Sequence, residues 1–134
     1  MPGFAEQVAA FNRKTEAKID TAIRKIAIDV FSEVVMMSPV DTGRFRGNWQ
    51  VAIGRVPQGT LELYDKAGTA TISKVQAEAL NLKAGQVIYL VNNLPYAIPL
   101  EYGHSSQAPA GMVRLTVQRW RPIVEAVARS LGKV

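Results

Sequence analysis

"MSPVDTGRFRGNWQV", residues 37–51, is where the chain changes character. Before it, apolar residues recur at steps of three and four; after it, they alternate. Pro39 disfavours the helical conformation at Ser38, so a helix arriving from the N-terminal side must stop near Met37. Trp49, Val51 and Ile53 then alternate with Gln50, Ala52 and Gly54, which predicts a half-buried strand. Helix, turn and strand in that order point to an α+β chain.

The turn contains Asp41-Thr42-Gly43, the tripeptide that carries the catalytic carboxylate of aspartic proteases. That chemistry needs an apolar strand feeding the loop and a second Asp facing the first. It also needs an apolar-Gly loop well downstream, packed beneath the Asp. Here the feeding segment is the end of a helix broken at Ser38-Pro39, and the nearest apolar-Gly pair, in "AIGR", ends at Arg55, far too close. A motif without its structural context carries little weight. As turn chemistry the tripeptide is self-consistent: Asp41 bonds the backbone two residues on, and Gly43 takes positive φ.

Upstream, Phe4, Val8, Phe11, Ile19, Ile23, Ile26, Val30, Val34 and Met37 keep the helical period, with Thr15 filling the one gap. The pattern predicts one amphipathic helix of about nine turns, far beyond the mean of ~11–12 residues. Asp20 and Arg24 stand at a favourable i,i+4 spacing. A stripe this long exceeds what one small core consumes, so part of it is expected to pack against another subunit.

Downstream, "VPQGTLELY" predicts a turn and a second strand with Leu61 and Leu63 inward. Residues 71–82 predict a short helix, with Gly85 near its end. "QVIYLVNN" is nearly continuous in apolar residues and reads as a central strand. From Gly111, Val113, Val117, Trp120, Val124, Val127 and Leu131 fall at helical steps, and Pro122 interrupts them. Either the helix is kinked, or residues 112–118 form a strand and the helix starts near Pro122; the spacing favours the kinked helix. The expected fold is a long N-terminal helix, a small antiparallel β-sheet and a C-terminal helix packed on the sheet. It forms one domain over residues 1–134: helix 1–37, turn and strands 38–64, a variable insertion 65–85 with its short helix, central strand and loops 86–110, and C-terminal helix 111–134.

The 134 residues fit one domain, and their 48% hydrophobic content supports a packed core. No apolar run reaches the ~18 residues of a membrane span, so no membrane partner is expected. The first residues show no secretory pattern, and the absence of cysteine fits a reducing cytoplasm. The net charge of +5 is concentrated after Tyr102, in Arg114, Arg119, Arg121, Arg129 and Lys133 against Glu125. Such an excess meets nucleic acid, an acidic protein or only water. Aromatics do not interleave with it, which weakens a base-stacking reading.

A second reactive-looking stretch, "EYGHSS", places Glu101, the only histidine, His104, and Ser105-Ser106 close in sequence. Neither serine sits in a glycine elbow, and adjacency in sequence does not create a nucleophile–base geometry. One histidine with scattered carboxylates makes a poor transition-metal site. No catalytic residue, metal or cofactor is assigned.

Two segments together carry a resemblance. "SPVDTGRFRGNWQV" supplies Pro39, Asp41, Thr42, Gly43, Arg44, Arg46 and Asn48 in a Pro-x-Asp-Thr-Gly-x-x-Arg/Lys-x-Ser/Asn pattern. "NNLPYAIPLEYGHSSQAPAGMVRLTVQRW" follows Val91 with Asn92 and Asn93, then Tyr96, Ala97, Leu100, Glu101, Gly103 and Pro109. In order and spacing the chain resembles the tail-completion proteins of long-tailed bacteriophages, also called head–tail joining or minor tail component proteins. The resemblance implies a virion protein made in the host cytoplasm. It would form a ring of identical copies, six or twelve, at the junction of head and tail. Neighbouring connector or stopper and tail terminator rings would be its partners, with possible non-specific contact to packaged DNA. It also implies that the 41–48 segment and the 92–109 loops, His104 included, are joining surfaces. Arg44 or Arg46 would reach a neighbour, and Glu101 is expected to accept one of those arginines. A basic nucleic-acid-binding protein is the alternative function, and an aspartic protease using Asp41 the third.

Overall fold

The structure is a computed structural model that describes residues 3–131; Lys133 of the basic tail lies outside the described residues. Helix α1 runs unbroken over Phe4–Met37. A one-turn helix α2, Arg44–Gly47, follows, then strand β1, Trp49–Ile53. Helix α3, Thr69–Ala79, precedes strand β2, Ile88–Asn92. A short α4, Ala97–Glu101, leads to α5, Val113–Gln118, and α6, Trp120–Leu131. No described helix is long and apolar enough to cross a membrane. The expected α+β class holds.

The strands pair antiparallel, with Trp49 opposite Asn92 and Ile53 opposite Ile88. Among the described residues the sheet has these two strands only, which corrects two expectations. β2 is not central, and residues 56–64 form no strand. Leu61 and Leu63 alternate, but no ladder holds that segment. Side-chain amides take its place: Asn48 bonds both the N–H and the C=O of Leu61, at 2.7 and 3.0 Å, and Gln50 and Asn93 both donate to the Gly59 carbonyl.

Two hydrophobic clusters order the rest. Val34 and Val35 of α1 meet Phe45, Trp49, Leu94, Ala108 and Met112 in one. Ala27, Ala79 and Leu82 form the other, with Ile23, Ile53 and Ile88 against it. Trp49 is buried as expected, whereas Val51 and Ile53 are only half-buried and Ala52 is buried as well, so both faces of β1 are used. α3 is the helix that packs on the strand and on α1; α5 and α6 lie chiefly along α1. The C-terminal helix therefore does not take the expected place on the sheet, because α3, from within the segment expected as an insertion, already occupies it.

Residues 113–118 are helical, not a strand, and the helix breaks at Arg119 rather than at the proline. Pro122 falls in the first turn of α6, where a missing N–H removes no helical bond. Asp20 and Arg24 do not pair with each other. Asp20 accepts the Ala84 N–H at 2.9 Å and Arg24 donates to the Leu82 carbonyl at 2.7 Å, so together they hold the loop after α3.

Candidate functional site

The two segments that carry the resemblance meet in space. The Gln107 side-chain amide accepts the Val40 N–H at 2.9 Å and donates to the Val40 carbonyl at 3.2 Å, tying the 39–43 loop to the 104–108 loop. Between them lies a groove of about 270 Å³, lined among others by Asp41, Arg44, Phe45, Tyr96, Leu100 and Ser105. Phe45 forms its floor, with its ring centroid 5.8 Å from Trp49 on one side and 5.8 Å from Tyr96 on the other.

The approach to this site is set by the end of α1. Ser38 returns its hydroxyl to the Val34 carbonyl and accepts the Trp49 indole N–H at 2.7 Å. Arg46 donates to the Met36 and Ser38 carbonyls, both at 2.9 Å, satisfying acceptors that the C-terminus of α1 leaves open, and to the Lys66 carbonyl of the loop before α3 at 2.7 Å. Burial pulls the Arg46 guanidinium below its ordinary pKa, and the Asp65 charge nearby pulls it back up. Arg46 thus braces the end of α1 within its own subunit.

Asp41 is exposed and makes no hydrogen bond; Thr42 makes the expected two-residue bond in its place, its hydroxyl accepting the Arg44 N–H at 3.2 Å. Gly43 has φ of 89°, and a Cβ there would stand 2.6 Å from the Lys66 backbone nitrogen. Its carbonyl takes the N–H of Gly47 and of Asp65, both at 2.9 Å, so the turn opens α2 and anchors the 65–66 backbone together. Arg44 pairs at 3.0 Å with Glu62, a carboxylate 75% exposed, a contact worth little to stability. Asn48 is fully buried. Pro39 is buried at the start of the loop.

Glu101 does not reach Arg44 or Arg46. Its carboxylate accepts the N–H groups of Met112 and Val113 at 2.8 Å and of Arg114 at 3.1 Å, and pairs with the Arg114 guanidinium at 3.1 Å. It therefore closes the open N-terminus of α5. Burial raises its pKa, but the amide N–H bonds and Arg114 outweigh that and hold it below the ordinary carboxylate value. Arg114 also lies 4.7 Å over the Tyr102 ring. Gly103, at φ 86°, lets the Pro109 carbonyl approach, and His104 is exposed, with only its backbone N–H bonded, to Pro99.

Two contributors escaped the sequence reading. Gln107 gave no signal, since its partner lies 67 residues away. Asp65 was legible as a helix-start signal: it accepts the Gly68 and Thr71 N–H groups at 3.0 and 2.8 Å, opening α3. Burial raises the Asp65 pKa, while those bonds and Arg46 bring it below its ordinary value.

Chemically, the groove offers a binding surface with an aromatic floor, an exposed carboxylate and one arginine. Asp41 follows a helix rather than a strand, and the next two carboxylates along the chain are spent: Glu62 on Arg44 and Asp65 on α3. Of the basic tail, Arg114 is committed to Glu101 and Arg119 to Glu33 at 2.7 Å, which leaves Arg121 and Arg129 facing solvent. Among the described residues no three of His, Asp and Glu converge to hold a metal ion. Compared with protein-family models, curated proteins and solved structures, the chain matches none of them.

Proposed function

We propose that the chain is a structural subunit that assembles with copies of itself into a ring, at the head–tail junction of a long-tailed phage. The observation that carries the self-association is the bare apolar stripe on the first half of α1. Phe4 is 83% exposed and Phe11 65%, with Val8 and Ile19 open on the same side. Scattered single apolar residues are ordinary on a surface, but a continuous stripe on one helix face marks an interaction site. The Pro39–Asn48 and Asn92–Pro109 resemblance supplies the location, and the groove those segments enclose is a docking surface for an adjacent ring.

The test is the mass of the purified protein in solution, by light scattering and native mass spectrometry, with virions probed for the same chain. A closed multiple such as six or twelve, present in virions at a fixed ratio, is the expected result. A monomer at every concentration that is absent from virions overturns the proposal.

A further inference from the structure

Resting on the ring reading, we infer that neighbouring copies join head to tail: the free end of α1 from one copy lies on the α5–α6 face of the next. That face is the second bare apolar surface of the chain. Val113 and Val117, one turn apart on α5, are open, Val117 at 65%, and Trp120 at the start of α6 is 51% exposed. Tyr102, under the Arg114 guanidinium, extends it toward the 102–104 loop.

The two surfaces cannot meet within one copy. Arg119 is pinned to Glu33 at 2.7 Å, and the Thr116 hydroxyl faces the Met37 sulfur at 3.6 Å, so the α5–α6 junction sits beside the C-terminal end of α1. Phe11 lies 22 helical residues from Glu33, roughly 33 Å at 1.5 Å per residue, and Phe4 farther still. Two different apolar faces at opposite ends of one rod make a heterologous contact, and repetition of such a contact closes into a ring or runs on as a filament.

Size supports the same occupant. With aromatic side chains of ~150–250 Å² each, of which only 51–83% is still exposed, full burial of the two strips would remove at most on the order of 800 Å² of apolar surface from water. With their polar borders they reach the roughly 1,200 Å² at which specific interfaces begin. Pairing α1 with α1 would leave Val117 and Trp120 bare.

The chain has no cysteine, so introduced pairs report proximity directly. Phe11→Cys and Val117→Cys are made singly, together in one chain, and with Leu80→Cys as a control just after α3, 60% exposed and outside both strips. Under mild oxidation, mixing the two single variants is expected to give a covalent dimer, and the double variant a ladder ending at the ring's copy number. The Phe11→Cys and Leu80→Cys mixture is expected to stay uncrosslinked. In parallel, Phe11→Asp is expected to shift the assembly to a monomer that still unfolds cooperatively. A ring by mass that yields no 11–117 product, or that links Phe11→Cys to itself, overturns this interface and leaves the ring standing. No ring and no crosslink at any concentration overturns both.

Discussion

Asn48→Ala tests whether a buried side-chain amide holds the 57–64 segment where a strand was expected. The wild-type amide makes three bonds: to the Arg44 carbonyl at 2.7 Å, to the Leu61 carbonyl at 3.0 Å, and from the Leu61 N–H at 2.7 Å. Alanine removes all three partners at once, and the bulk of the Asn side chain with them. A hydrogen bond contributes about 1 kcal/mol net, and stranding a buried partner about 1–3 kcal/mol. The Leu61 and Arg44 groups are only partly buried, so water recovers some of that loss. A total of about 2–3 kcal/mol follows, which in a domain of this size is a drop of roughly 8–12 °C in melting temperature. Thermal and urea melts followed by circular dichroism measure it, with an unchanged urea slope showing that the compactness of neither state has moved. Limited proteolysis should cut between residues 57 and 64 in the variant and not in the parent. A loss below about 0.5 kcal/mol, with that segment still protected, would show that the amide does not hold it.

Glu101→Gln is expected to cost about 1 kcal/mol at pH 7, in line with loss of a helix-capping carboxylate. Because the folded-state pKa of Glu101 is depressed, its contribution is complete above the ordinary value near 4.5 and is lost as the pH falls through the folded value. Melts from pH 7 downward should bring parent and variant together in acid; a gap that stays constant with pH refutes the charge-based account. Gly43→Ala forces a side chain onto φ of 89° and against the Lys66 backbone, so a loss of at least about 2 kcal/mol is expected in the same melts. Asp41→Asn should leave stability within about 0.5 kcal/mol, since the Asp side chain is exposed and unbonded, whereas Thr42→Ala should lower it measurably. The reverse order would return the turn to Asp41.

The legible parts of this fold were those with a long period or a hard stop. α1 announced itself by its stripe and ended at Ser38 because of Pro39. β1, α3 and β2 followed from alternation, from helical spacing and from an apolar run. α2 and α4 did not, because four or five residues are too few to display a helical period, and α4 carries a proline besides. The false strand at 61–63 shows the limit of alternation. Two leucines on one side fit a strand, but whether a ladder forms depends on a free neighbouring edge, and the local sequence does not describe that edge. At the candidate site, residue types were readable and partners were not. Arg46 and Glu101 are each bonded within the subunit, to carbonyls near the end of α1 and to the start of α5. Their partners follow from packing that brings residues from distant parts of the chain together.

α1 is continuous in geometry but divided in what supports it. From Ile23 onward α3 and α6 flank it, while between Phe4 and Ile19 most side chains are exposed and residues such as Ala9, Ala10 and Glu16 favour helix. A helical stretch of that length is marginal by itself in water. Its amides therefore exchange with solvent through local fraying, while those after Ile23 wait for openings of the body. In the proposed contact, the entropy of ordering these turns would be subtracted from the contact energy, so each joint would be weaker than its area alone would give. In a ring of the kind proposed, weak single joints would let a misplaced subunit leave, and only closure, which holds every copy at both ends, would make the assembly durable.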